Sequence, residues 1–331
     1  MGTWLEGGKS QFRLADKKGG ADFIVEQGRV ALVVECKSTS EAATVGSAIT
    51  QVLAYVKRVK GHAVPVVAVP FMGEVGKRLC SEADVCWFDL SGNAHIVAPG
   101  LRIHIEGMSN RFLRRGRPST AFAPKSARVA RQLLMDPQRS VRQQELARVT
   151  GLDDGFTSRI VRRLEQDGLV HRAKDGTINV TNPDLLLDAW AEVYAFDKHR
   201  ILRGHVNAKG SVDLLASLAK TLTGEKVRYA ATGLAAAWLL TEFAAFRLIT
   251  LFVSHRPDDR ALKDAGFREE SRGANVWLVV PNDEGVFSGT EIIDNIRVVH
   301  PVQAYLDLAS QPERAKEAAD ELRTRRLRWG S

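Results

Sequence analysis

Residues Ser126 to Val180 constrain the fold more tightly than any other stretch of the chain. SARVARQLLMD sets Val129 and Leu133 one helical turn apart, the spacing of a helix with a single inward face. QQELARVTGL reads as a second helix ended at Gly151, because glycine enters the left-handed region without a steric cost. DDGFTSRIVRRLEQDGLV supplies a third, capped by Asp153 or Asp154 and stopped at Gly168. HRAKDGTINV then turns at Asp175-Gly176, a short hairpin signal. On the third helix Ile160, Val161 and Leu164 form the inner face, which leaves Thr157, Ser158, Arg159 and Arg162 outward. The chain has 331 residues and a formal net charge of +8. Residues 107–182 alone carry a basic excess equal to that whole charge, while the flanks on either side nearly balance. Such concentration is the electrostatic footprint of a nucleic-acid-binding module.

Three short helices followed by a hairpin resemble a winged helix-turn-helix domain. The resemblance implies double-stranded DNA as a partner and makes the third helix the reader of the major groove. Arginines there reach guanine O6 and N7, and short hydroxyls contact phosphates. Thr157, Ser158, Arg159 and Arg162 are then the DNA-facing set. Arg172 and Lys174 on the wing approach the neighbouring backbone, and Gln143 at the start of the second helix can meet a phosphate. Some winged domains bind protein instead, and the local charge favours DNA.

A second constellation lies at Ala21 to Lys37, where ADFIV and VALVVECK read as two strands of a hairpin. With Gln27-Gly28 as a two-residue turn, Glu26 lies opposite Arg29 and Asp22 opposite Val33. Glu35 and Lys37 then share the face of Asp22, and Cys36 points away. Asp22 and Glu35 become diagonal neighbours, roughly 7 Å apart at Cβ, a separation that two carboxylates sharing one Mg²⁺ can span with ligand bonds of about 2.1 Å. Acid pairs on strands are commonly solvated charges. Glu35 and Lys37, however, interrupt the end of the apolar run ALVV, and burying charge there without a partner is costly. Around the hairpin the pattern continues as a helix within Ser38 to Lys60 with Gln51 and Tyr55 near its apolar stripe, a strand from Ala63 to Phe71, and a helix from Gly73 to Ala83. VCWFDL, NAHIVA and Leu101 to Glu106 follow as strands, so a mixed sheet with helices covering it is expected.

Asp22, then Glu35-Cys36-Lys37, then a helix bearing Gln51 resembles the PD-(D/E)xK nuclease superfamily across about residues 1 to 106. The resemblance implies a restriction-endonuclease-like α/β/α domain and Mg²⁺- or Mn²⁺-dependent phosphodiester hydrolysis. In it Asp22 and Glu35 bind the metal, Cys36 gives its backbone carbonyl, Lys37 polarises the attacking water and Gln51 assists. Ala21 stands where the name-giving proline would be, and Glu6 is the one candidate for the usual acidic residue of an N-terminal helix. Asp89 and Asn93 are expected as turn formers, and His95 and His104 as ordinary strand residues.

Residues 107–125 read as a basic connector, either tracking a phosphate backbone or simply solvated. Beyond the winged segment (126–182) the pattern gives a helix from Pro183 to Phe196. Helices follow near Asp213 to Thr223 and Ala230 to Leu240, with strands near Arg247 to Ser254, Val276 to Val280 and Ile296 to His300, and a closing helix pair. YAATGLAAAWLL, RLITLFVS and HPVQAYLDLASQPERAKEAADELR resemble the AbiEi family of type IV toxin-antitoxin systems, antitoxins that repress their own transcription. That resemblance implies an α+β, nucleotidyltransferase-like C-terminal domain over 183–331 and a cognate toxin or other defence-system protein as partner. Asp213, after Gly210-Ser211, is read as a helix-start residue. The architecture expected is therefore multidomain α/β, and the leading functional expectation is a Mg²⁺-dependent DNA endonuclease targeted by its winged domain, with a non-enzymatic autorepressor and antitoxin of a phage-defence system as the alternative. A factor reading DNA junctions is a third, weaker reading. Three scattered cysteines without metal-site spacing point to a reduced protein without disulfides. No stretch looks like a signal peptide or a membrane span, so a cytoplasmic protein is expected, and the symmetry of duplex DNA suggests a homodimer.

Overall fold

The structure, a computed structural model, describes residues 11–14, 21–27, 30–59, 62–109, 111–112, 120–243, 245–270, 272–308 and 315–329. Two compact units emerge. One combines Met1–Arg117 with Leu164–His171 and Asp184–Glu192, and the other combines Pro118–Arg163, Arg172–Pro183 and Val193–Ser331. Glu6, Gly28 and Arg29 lie outside the described residues, as do residues 110 and 113–119 of the basic connector.

The first unit is built on a seven-stranded sheet whose strands follow chain order. The strands and helices are β1 (Gln11–Leu14), β2 (Phe23–Gln27), β3 (Val30–Cys36), α1 (Ala42–Val56), β4 (His62–Val69), α2 (Glu74–Glu82), β5 (Cys86–Asp89), β6 (Ala94–Ala98) and β7 (Leu101–Ile105). β3 pairs parallel with β4, and β4 with β5; the other pairings are antiparallel. Alternation divides β3 between two cores. Val33 packs with Ile24, Val67 and the apolar stripe Val45, Ala48, Ile49 and Val52 of α1. Val34 joins Val25, Leu32, Val66, Ala68, Cys86 and Ile96 in a cluster made of strand residues alone. Among the described residues, helical cover is thus seen on one face of this sheet, where an α/β/α sandwich was expected. The reason lies in the stretch from β5 to β7, which spends its residues on two hairpins.

The hairpin register differs from the expected one. Gln27 already pairs with Val30, and Glu26 with Ala31, so the connection falls one residue later and every partner moves by two. An even shift leaves each side chain on its face. The ladder begins with Phe23 opposite Val34, and Asp22, just before β2, donates its backbone N–H to Val34 O at 2.9 Å.

The winged segment supplies α3 (Ala127–Met135), β8 (Val141–Arg142), α4 (Gln143–Thr150), α5 (Asp154–Gln166), β9 (Val170–Arg172) and β10 (Thr177–Val180), with the strands ordered β8-β10-β9; Leu164–His171, the end of α5 and most of β9, belongs with the first unit and the rest with the second. This is the expected winged pattern. α6 (Pro183–Ala191) belongs with the first unit, where Asp188 is buried and paired with Arg78, and Glu192 Oε2 accepts the Ala42 N–H at the start of α1 at 3.1 Å.

The rest of the second unit comprises β11 (Arg200–His205), α7 (Ser211–Gly224), β12 (Tyr229–Thr232), α8 (Gly233–Thr241), β13 (Ile249–Val253), α9 (Asp259–Asp264), β14 (Arg268–Glu269), β15 (Val276–Val280), β16 (Glu291–Ile293), β17 (Ile296–Val298), α10 (Pro301–Leu308) and α11 (Ala315–Arg326). Its sheet runs β14-β11-β15-β13-β12-β17-β16. A helix was expected from Ala230, yet Tyr229 to Thr232 pair antiparallel with β13. Small apolar residues throughout YAATGLAAAW carry no period to separate strand from helix. Gly233, at φ +60°, makes the break between them. No helix among the described residues is long and apolar enough to cross a membrane.

Candidate nucleic-acid interface and a carboxylate cluster

Gly151 closes α4 in the left-handed conformation at φ 65°, and the chain re-enters helix at α5 within three residues. Asp153 Oδ1 accepts the Phe156 N–H at 2.7 Å, so Asp153 rather than Asp154 is the cap. Ile160, Val161 and Leu164 are buried, as their spacing requires. Arg159 and Arg162 are exposed and Ser158 half-buried. Thr157 departs from expectation. It is 0 % exposed, and its hydroxyl donates to the Asp153 carbonyl at 2.9 Å. Positions 157, 160, 161 and 164 follow i, i+3, i+4, i+7, so Thr157 belongs to the inner stripe and seals the first turn of α5 instead of facing DNA.

Around this helix the wing and α4 come together. Arg172 donates to Gln143 Oε1 at 3.3 Å, linking the wing to the first residue of α4. Arg172 and Lys174 are both exposed, and Gln143 is half-buried. At the wing tip Asp175 Oδ1 accepts both the Thr177 hydroxyl at 2.7 Å and the Thr177 N–H at 3.0 Å, and these bonds hold its carboxyl below the usual range. The sequence reading missed two groups. Arg142, exposed, immediately precedes α4. Phe156, half-buried, carries the Lys125 ammonium 5.9 Å and the Arg159 guanidinium 5.6 Å from its ring centre. An aromatic three residues before an arginine on the same helix was the available signal.

In the other unit Glu35, Lys37 and Gln51 come together, while Asp22 bonds the neighbouring backbone. Asp22 Oδ2 accepts the Cys36 N–H at 2.7 Å. Lys37 Nζ lies 2.6 Å from Glu35 Oε1 and 2.6 Å from Gln51 Oε1. Glu35 is only 6 % exposed, so the lysine is the partner that makes its burial tolerable. Desolvation, then the Asp22 and Glu35 carboxylates, push the Cys36 thiol up to about 11, which disfavours a thiolate ligand. The remaining donors are two carboxylates and a backbone carbonyl, a hard oxygen set of the kind Mg²⁺ or Mn²⁺ takes alongside water and phosphate oxygens. Among the described residues no group of three or more His, Cys, Asp or Glu could hold a metal ion.

Asp89 and Asn93 are turn formers, as expected. The buried Asp89 carboxylate accepts the N–H groups of Met72, Gly92 and Asn93 and the Asn93 side-chain amide, between 2.8 and 3.1 Å. His95 and His104 face each other across β6 and β7 with Nδ1 atoms 3.1 Å apart. Asp213 sits in the first turn of α7.

No curated protein and no solved structure matches the chain. Two family models do. Residues 123–177 match the one described as the MarR family, which takes in α3 through the start of β10. Residues 179–328 match the one described as a transcriptional regulator, AbiEi antitoxin, of a type IV toxin-antitoxin system. The chain thus carries a MarR-family winged-helix domain followed by an AbiEi antitoxin domain.

Proposed function

We propose that this protein is a sequence-specific DNA-binding transcriptional regulator that acts as the antitoxin of a type IV toxin-antitoxin, or phage-defence, locus. The observation that carries the reading is α5. Its first turn is sealed by Asp153 and Thr157, it presents Arg159 and Arg162 outward, and it stands in the segment that holds the chain's whole basic excess. A guanidinium on a rigid helix is suited to bidentate recognition of guanine, while Arg172, Lys174 and Gln143 take the phosphates. The AbiEi antitoxin domain supports a cognate toxin as protein partner, with a nucleotidyltransferase-like C-terminal fold, a homodimer on a two-fold site and a cytoplasmic location as the finer expectations. Footprinting of the intact protein on the DNA upstream of its own gene tests this reading. An inverted repeat is expected to be protected, and Arg159→Ala or Arg162→Ala to lose about 1–3 kcal/mol of discrimination each. Uniform protection at all concentrations, unchanged by both substitutions, would count against it.

A second reading concerns Asp22, Glu35, Lys37 and Gln51: the buried Glu35–Lys37–Gln51 contact beside Asp22, which is bound to the Cys36 N–H, favours a metal-assisted phosphodiesterase on a restriction-endonuclease-like domain. Asp22, Glu35 and the Cys36 carbonyl would hold Mg²⁺ or Mn²⁺, which would supply Lewis acidity and a more acidic bound water. Lys37, fixed by Gln51, would hold a proton-bearing ammonium against the nucleophile. Calorimetric titration with Mn²⁺ separates this reading from the first: binding by the native chain and its loss in Glu35→Ala, with DNA affinity intact, is expected. Absence of Mn²⁺ binding together with no cleavage of plasmid DNA removes it.

A further inference from the structure

We propose that Phe156 is a positioning residue for DNA reading, holding Arg159 in the orientation in which it meets a base and placing Lys125 beside it for the adjacent phosphate. This rests on the winged domain reading DNA. Phe156 is the third residue of α5, directly after Gly155, and its N–H is tied to the Asp153 cap, so its backbone is fixed at the helix start. The Arg159 and Lys125 cations lie 5.6 and 5.9 Å from the ring centre, both within cation–π range. The Arg159 guanidinium also lies beside the Gly155 backbone, where a Cβ would stand 3.8 Å from Arg159 Nη1, an ordinary contact distance.

The physical benefit is pre-organisation. A free arginine side chain carries rotamer entropy, part of which is lost on binding. A guanidinium held within cation–π range of an aromatic ring has given up part of that freedom beforehand, and its N–H donors stay available for guanine O6 and N7. Lysine is a point charge without that fork, and next to the same ring it serves a phosphate oxygen. The two cations then have separable roles: Arg159 governs discrimination between sequences, and Lys125 governs salt-dependent affinity.

Selection from a random-sequence duplex library with the full chain supplies the probe, after which affinities for the enriched duplex and a scrambled one are compared at fixed salt. Phe156→Leu, which keeps apolar bulk without a π face, is expected to lower the enriched-to-scrambled affinity ratio about 10-fold. Phe156→Tyr is expected to keep that ratio within about 2-fold, and Lys125→Ala to reduce the slope of log K against log salt by about 1 with the ratio kept. Thermal unfolding of both Phe156 variants reports whether the helix start is intact. An unchanged ratio in Phe156→Leu overturns the inference, as does an equal loss in Phe156→Tyr with an unaltered unfolding temperature. Failure of the native chain to enrich any sequence overturns the DNA-reading proposal itself, and this inference with it.

Discussion

Asp307, on α10, is the most deeply buried carboxylate of the second unit, at 0 % exposure. It accepts hydrogen bonds from the hydroxyls of Thr232 and Tyr194 and from Gln303 Nε2, the last at 2.7 Å. Burial outweighs those bonds and pushes its carboxyl up to about 7. Gln303 in turn accepts from Arg131 of α3, and Arg128, also on α3, forks onto Asp283 at 2.7 to 3.0 Å. The winged domain is therefore joined to the antitoxin domain by buried polar bonds rather than by apolar contact alone. Since the folded chain holds the Asp307 proton that the unfolded chain releases above about pH 3.8, stability contributed at this site falls as pH rises from about 4 to 7 and is level above that. Asp307→Asn keeps the acceptor for Tyr194 and Gln303 and removes the titration. The stability difference between the native chain and this variant, from urea unfolding at pH 5, 6, 7 and 8, should move toward the variant up to pH 7 and then stop changing. His199 and His300, lowered to about 4 mainly by burial, act in the opposite sense, because stability is lost as pH falls from about 6.5 to 4 and they must charge. None of these partners could be paired from sequence, because Arg131 and Gln303 are 172 positions apart and the local pattern marks Arg131 only as one more basic residue.

At the scale of elements, the sequence was informative where a local rule decides the outcome. Gly151, Gly168 and Gly176 sit at φ 65°, 71° and 84°, and each ends or turns an element as glycine placement predicts. The α1 stripe of Val45, Ile49 and Val52 is buried as its period requires. Pairing was less legible. The hairpin connection falls one residue beyond the expected turn, and β1 and β11 were not anticipated, since strand partners depend on residues remote in the chain. Thr157 was assigned outward because its hydroxyl suggested a phosphate donor, although its position in the stripe placed it inward. Gly204, in β11, shows how tertiary packing can select a residue that no turn demands. A Cβ there would lie 2.2 Å from Phe267 Cζ, well inside contact distance. Gly204→Ala should therefore cost about 1–3 kcal/mol, read from the denaturant midpoint, and Phe267→Leu added to it should recover part of the loss. If Gly204→Ala unfolds at the native midpoint, the ring does not close over this strand.

For the whole molecule, the division of labour was visible in charge before any element was placed. The basic excess lies in residues 107–182, and the winged domain stands within that segment. In the hairpin, by contrast, Lys37 bridges Glu35 and Gln51 while Asp22 accepts the Cys36 N–H, and these contacts assign no reaction. DNA reading and any hydrolysis are separable, because they use different residues in different units. Glu35→Ala should leave DNA affinity within about 2-fold of the native value, since surface recognition by Arg159 and Arg162 is untouched. The central claim is that α5 reads sequence. Its most direct test is the ratio of affinities of the intact protein for its footprinted duplex and for a scrambled duplex at physiological salt. A ratio of at least about 10³ that collapses toward unity in the Arg159→Ala, Arg162→Ala double variant is predicted; equal affinity of the native chain for both duplexes, unaltered in the double variant, would contradict it.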